Sequence, residues 1–123
     1  MLDLKKKLQL KDDFKGAVLN KPNDVSLPGL PEPSGVDGPA DYVIVFVNDR
    51  AEVERFVGQV VQDLREDGLL WLCYPKKSSG IKTDITRDAG WEPLTQLNFR
   101  PVRQISIDKT WSALRFREQR FVK

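Results

Sequence analysis

Two continuous apolar runs, Tyr42–Val47 and Leu69–Tyr74, do most to limit what this chain can fold into. Both are rich in β-branched and aromatic residues, and neither alternates with polar ones. In a strand, that pattern means both faces are covered, as in a parallel sheet lying between other layers. Between the runs, Val53, Phe56, Val57, Val60, Val61 and Leu64 recur at helical spacing and predict one apolar helix face. Asp49, with Glu52 three residues on, has the spacing of a capping box. Arg65 is expected near the helix's C-terminal end and Gly68 at a glycine stop. The three segments together read as a βαβ unit whose strands lie side by side in the same direction.

The flanking segments are shorter. Leu4 and Leu8 suggest a short amphipathic helix, with Lys5, Lys6 and Lys7 facing water. Phe14 to Leu19 reads as a first strand, followed by turn chemistry at Asn20-Lys21-Pro22-Asn23-Asp24. Residues 22–39 are dense in proline and glycine and predict a long connection pinned by Val25, Leu27 and Leu30. Beyond the second apolar run, Thr83–Ala89 is expected to form a short helix capped by Thr83 and stopped by Gly90. A second short helix is expected around Pro93, ending at Asn98. Val102–Ile107 and Trp111–Phe116, joined by only Asp108-Lys109-Thr110, predict an antiparallel hairpin, with a frayed basic tail after it.

At 123 residues the prior is a single domain, residues 1–123, able to bury a core without disulfides. The expected fold class is α/β: a three-layer Rossmann-like domain whose mostly parallel sheet ends in the antiparallel C-terminal hairpin. No apolar run approaches the length of a membrane span, and the lysine-rich start lacks the apolar core of a signal peptide. With a lone cysteine, Cys73, the expected location is the cytoplasm. Charge is unevenly spread: residues 1–67 carry 9 Lys/Arg against 13 Asp/Glu, and residues 68–123 carry 11 against 5. The basic second half could attract an anion but has no dense stripe of the kind that nucleic acid requires.

From Asp41 onward the element order resembles the second half of the class I methyltransferase fold, with Asp67-Gly68-Leu69-Leu70 at the position of that fold's glycine-containing turn into its next strand. The stretches Tyr74–Asp88 (YPKKSSGIKTDITRD), Gly90-Trp91 and Ile107–Arg117, with Asn20-Lys21-Pro22 after the first strand, also resemble a family of small bacterial proteins of unknown function. The methyltransferase resemblance implies a cofactor site with a glycine-rich turn after the first strand and a carboxylate at the end of the next. This chain has Asn20-Lys21-Pro22-Asn23-Asp24 instead of that turn, and Pro22 obstructs close backbone approach.

Little here carries catalysis. The chain has no histidine, no Cys/His cluster for zinc and no phosphate-binding GxxxxGK[ST] loop, and Cys73 sits inside an apolar strand. No catalytic residue, metal or cofactor is expected. If a ligand binds, it should lie beyond the carboxyl ends of the parallel strands. There Asn20 and Lys21, Asn48 and Asp49, and Lys76, Lys77, Ser78 and Ser79 would meet the helix start at Thr83 as an anion cradle, with Arg87 and Trp91 nearby. A second cluster is Asp108, Ser112 and Arg115, with an Asp108–Arg115 pair considered. Arg115 and Arg117 share a strand face and would form a small basic patch if that face is exposed. The expected function is a non-catalytic binding or accessory domain, with self-association as a homodimer considered. The alternative is a protein for small anionic metabolites. S-adenosylmethionine-dependent methyl transfer ranks last.

Overall fold

A computed structural model describes residues 4–11, 13–25, 27 and 39–122. Most of the proline-rich connection, including Leu30, lies outside the described residues, as do the Lys5 side chain and Lys123. The strands are β1 (Gly16–Leu19), β2 (Ala40–Phe46), β3 (Leu64–Pro75), β4 (Phe99–Ser106) and β5 (Trp111–Glu118). The helices are α1 (Leu4–Lys7), α2 (Arg50–Asp63) and α3 (Glu92–Thr95). The five strands form one sheet in the order β1-β2-β3-β5-β4. β1, β2 and β3 are parallel, whereas β5 runs antiparallel to both β3 and β4. The two apolar runs therefore lie side by side in the same direction, Tyr42 opposite Leu69 and Phe46 opposite Cys73.

Burial explains why those runs do not alternate. Val43, Val45, Leu70, Leu72 and Tyr74 pack with Val53, Val57 and Val60 of α2 and Leu94 of α3. Tyr42, Ile44, Phe46, Leu69, Trp71 and Cys73 face the other way and pack with Leu8, Leu10 and Val25. Successive strand residues thus enter different clusters, and both need apolar side chains. Leu8 is fully buried, and its carbonyl accepts a hydrogen bond from Trp71 Nε1 at 3.0 Å, which fixes the N-terminal segment to the sheet. Close approach of β1 to β2 depends on Gly16, where a Cβ would overlap the Tyr42 carbonyl oxygen and ring.

Two local expectations are corrected. Helix α2 ends at Asp63, and Leu64 already has extended backbone and begins β3, so Arg65 lies in the strand and not in the helix's last turn. The left-handed residue of this region is Asp67 (φ 55°) rather than Gly68. Space selects Gly68: a Cβ there would lie 2.7 Å from Leu64 Cδ1. Thr83–Ala89 forms no helix. Thr83 Oγ1 accepts from Ile85 N at 3.1 Å and Thr86 Oγ1 from Asp88 N at 3.2 Å, short-range bonds that compete with helical ones. Ile85 is buried, and Thr86 and Ala89 bridge each other ahead of Gly90 (φ 98°).

Candidate functional site

At the carboxyl ends of β1 and β2, polar side chains are drawn into one network. Asn20, in the left-handed region at φ 58°, donates from Nδ2 to the Phe46 carbonyl at 2.8 Å and to Glu52 Oε1 at 3.3 Å. Asn48 donates to the same Glu52 oxygen from its backbone N at 2.7 Å and from Nδ2 at 3.0 Å. Asp49 caps α2, its Oδ1 accepting from Glu52 N at 3.0 Å. The Glu52 carboxylate reaches back to the N–H of Asn48, one residue beyond the usual capping-box target. Asp84 Oδ1 accepts from Arg50 N at 2.8 Å. The start of a helix favours negative charge, and here the chain's own carboxylates supply it. Lys21 turns into its own loop, donating to the carbonyls of Pro22 at 3.1 Å and Val25 at 2.5 Å.

The lysine pair after β3 belongs to a different place. Lys76 and Lys77 border a cleft of about 200 Å³ together with Tyr74, Arg87, Gln104 and Ser112. Lys76 Nζ donates to Ser106 Oγ at 2.6 Å, and the Tyr74 hydroxyl accepts from Gln104 Nε2 at 2.8 Å. Burial raises the Tyr74 pKa, opposed by the positive charge of Arg87. Arg87 is half-exposed and pairs with Asp88 at 3.5 Å. Lys77 and Ser78 are exposed on a 3-10 turn. Ser79 closes that turn, donating from Oγ to the Lys76 carbonyl and accepting from Ile81 N. Thr83 lacks the helix expected behind it, and its hydroxyl serves Ile85 N instead of a helix start.

The predicted residues therefore separate into two groups. Asn20, Asn48 and Asp49 converge on Glu52, whereas Lys76 and Lys77 face Arg87, Gln104 and Ser112. The sequence offers Glu52 as a cap, Arg87 as a neighbour and Ser112 only as a member of the second cluster; it gives no sign of Asp84 or Gln104. Register is what joins Ser112 to Tyr74 and to Ser106, and no local motif announces it.

In the second predicted cluster, Asp108 Oδ1 accepts from Thr110 N and Trp111 N at 2.8 Å each, so it is a turn residue. Arg115 Nη1 instead donates to Gln9 Oε1 at 2.9 Å. Cys73 is fully buried, and burial pushes its thiol pKa far up. Among the described residues no group of three or more His, Cys, Asp or Glu could hold a metal ion, and no helix is long and apolar enough to cross a membrane.

Sheet order and the parallel-to-antiparallel change define a mixed α/β protein compatible with a methyltransferase-like fold. Among solved structures, the chain is similar to the ribosomal protein L11 methylase from Lactobacillus delbrueckii subsp. bulgaricus, with a TM-score of 0.56 over 94% of this chain and 75% of that one, at 13% identity. That likeness shows the fold alone. No family model matches the chain, and no curated protein does.

Proposed function

We propose that residues 1–123 form a single, trimmed, three-layer Rossmann-like domain that acts in the cytoplasm as a non-catalytic binding or accessory module. The observation that carries this reading is the Asn20 bridge. A methyltransferase-like scaffold would hold S-adenosylmethionine beyond the first strand, against a glycine turn. Here the Asn20 side chain spans from that strand end to the Phe46 carbonyl and Glu52, and Pro22 follows. These residues do not fit the cofactor. Calorimetric titration of the full chain with S-adenosylmethionine should give no saturable heat. Binding at micromolar concentration would overturn the proposal and favour methyl transfer. Light scattering tests the homodimer idea, which a strict monomer at high concentration would remove.

A second reading rests on the cleft beside β3. Lys76, Lys77 and Arg87 place three cations around the buried hydroxyl-bearing Ser112, which suits a small phosphorylated or carboxylated metabolite. Thermal shift across such compounds is the test. A true ligand stabilises by about 2.7 kcal/mol at a hundredfold excess over its Kd. An equal response from a Lys76→Ala/Lys77→Ala double variant would remove this site.

A further inference from the structure

The hairpin carries four arginines on one face. In the register of β4 and β5, Arg100 lies opposite Arg117 and Arg103 opposite Arg115. Residues directly opposite in an antiparallel pair share a face, and so do Arg115 and Arg117, two apart on one strand. Arg100 and Arg103 are three apart and would ordinarily point to opposite faces. The irregularity between Pro101 and Arg103 adds a residue to β4 and restores both to the same side. That side is the one on which Trp111 and Ala113 pack, away from Leu114 and Phe116.

Like charges placed opposite each other destabilise a sheet, so the array needs a reason. Among the described residues, Arg117 alone of the four pairs with a carboxylate, that of Asp67, whose oxygens accept from Nε at 2.7 Å and Nη2 at 2.8 Å. Arg100 and Arg115 donate to the amide oxygens of Gln119 and Gln9. Among the described residues no acidic group forms an ion pair with Arg100, Arg103 or Arg115, and Arg115 Nε is buried with no hydrogen-bond partner. Arg100 and Arg103 are exposed.

We propose that this face binds an extended acidic protein segment bearing Asp or Glu at alternate positions. The proposal deepens the reading of the chain as a binding domain and rests on it. Side chains two apart on an extended segment repeat at about 6.6–6.8 Å, the spacing of Arg115 and Arg117 along β5. Each carboxylate can then accept from the guanidinium forks of one cross-strand pair. A phosphodiester strand is the poorer match because the positive track is short. Arg120, beyond Arg117, is neutralised by Glu118 at 2.8 Å and Glu66 at 3.5 Å, and Arg65 by Asp41 at 3.1 Å. Pro101 on the edge strand β4 discourages pairing through the backbone, so the contact is made by side chains.

The test is fluorescence anisotropy of the full chain with a labelled peptide of alternating Glu and Thr. Binding should weaken with salt, vanish when Glu is replaced by Gln, and fall by about tenfold or more in an Arg100→Gln/Arg103→Gln variant. Both substitutions are at exposed edge positions, and a thermal melt checks that the variant folds. Arg115→Gln should show the same loss and serves if the first variant does not fold. Unchanged affinity in the folded variants, equal binding of the Gln peptide, or tighter binding of a single-stranded oligonucleotide would overturn the proposal. Titrating S-adenosylmethionine into the same preparation separates the two readings. Cofactor binding with arginine-dependent peptide binding intact defeats the accessory role but not the acidic-segment face. Absence of both leaves the accessory role standing and defeats the face.

Discussion

The carboxyl ends of β1 and β2 and the arginine face of β4 and β5 both concentrate polar groups, yet they are satisfied in different ways. At the strand ends, the side chains are answered from within the chain: Asn20 and Asn48 share the Glu52 carboxylate, and Arg50 N has Asp84. On the hairpin face, four guanidinium groups stand in two cross-strand pairs, and among the described residues a single carboxylate, Asp67, forms an ion pair with them. The first arrangement is a surface lock closed on itself, in which one carboxylate answers several donors. The second raises the energy of the free protein and lowers it only when negative charge arrives from outside. A polar cluster is therefore informative about binding in proportion to what it leaves unanswered.

If the strand ends are a lock, Glu52→Ala should be the most damaging of the changes considered, because one carboxylate serves Asn20, Asn48 N and Asn48 Nδ2. The donors are exposed and turn to water once the carboxylate is gone, so the expected loss is the net worth of the bonds, about 1–1.5 kcal/mol, read from urea unfolding. Unchanged stability would mean that the end is not closed by this network, and the contrast with the hairpin would fail on that side. Asp49→Ala removes only the cap on Glu52 N, and a loss of about 1 kcal/mol is expected. A larger loss from Asp49 than from Glu52 would move the centre of the lock onto the cap alone.

How much of this was legible in the residues follows from which forces are local. The unbroken apolar runs announced strands covered on both faces, because burial on two sides leaves no position for a polar residue. The face of α2 was legible for the same reason. The end of α2 was not. Leu64 continues the apolar helix face and also pairs with Ala40 as a strand residue, and periodicity cannot choose between the two. The helix expected at Thr83–Ala89 failed because the two threonine hydroxyls bond their own backbone, a competition that a cap-and-stop reading does not weigh. Asp49 is legible as a helix cap from its spacing to Glu52, but the bridge from Asn20 requires knowing that β1 and β2 are neighbours. The basic face was half visible. Arg115 and Arg117 share a face by spacing alone, whereas Arg100 and Arg103 join them through a bulge that no spacing rule reveals.

The pH response sharpens the comparison next. The hydrogen bond from Arg117 holds the Asp67 pKa below its ordinary value, outweighing a smaller opposing contribution from burial. A carboxylate whose folded pKa is depressed stabilises the protein above its unfolded pKa, near 4, and this contribution is lost as pH falls through the folded value. Stability should therefore decline across that acidic window, and Asp67→Asn should flatten this part of the decline while lowering Tm at neutral pH. An identical acid profile in the variant would show that the lone carboxylate on the arginine face does nothing for the fold.

The smallest effect has the opposite sign, and for that reason discriminates best. Arg103 lies opposite Arg115, whose own pKa is lowered first by burial and then by neighbouring arginines, Arg117 ahead of Arg103. Arg103→Thr removes one charge of the pair and substitutes a residue suited to an exposed strand. Relief of the like-charge contact should raise stability by about 0.2–1 kcal/mol, seen as a modest rise in Tm at low salt. The gain should shrink as salt is added, since the repulsion between exposed groups is screened within about 10 Å at 0.1 M. Stabilisation by deleting an arginine is the mark of a residue kept for something other than folding. If Arg103→Thr instead lowers Tm at every salt concentration, the guanidinium groups support one another in the free chain. The hairpin face would then be as self-satisfied as the strand ends, and the case for an acidic partner would lose its physical basis.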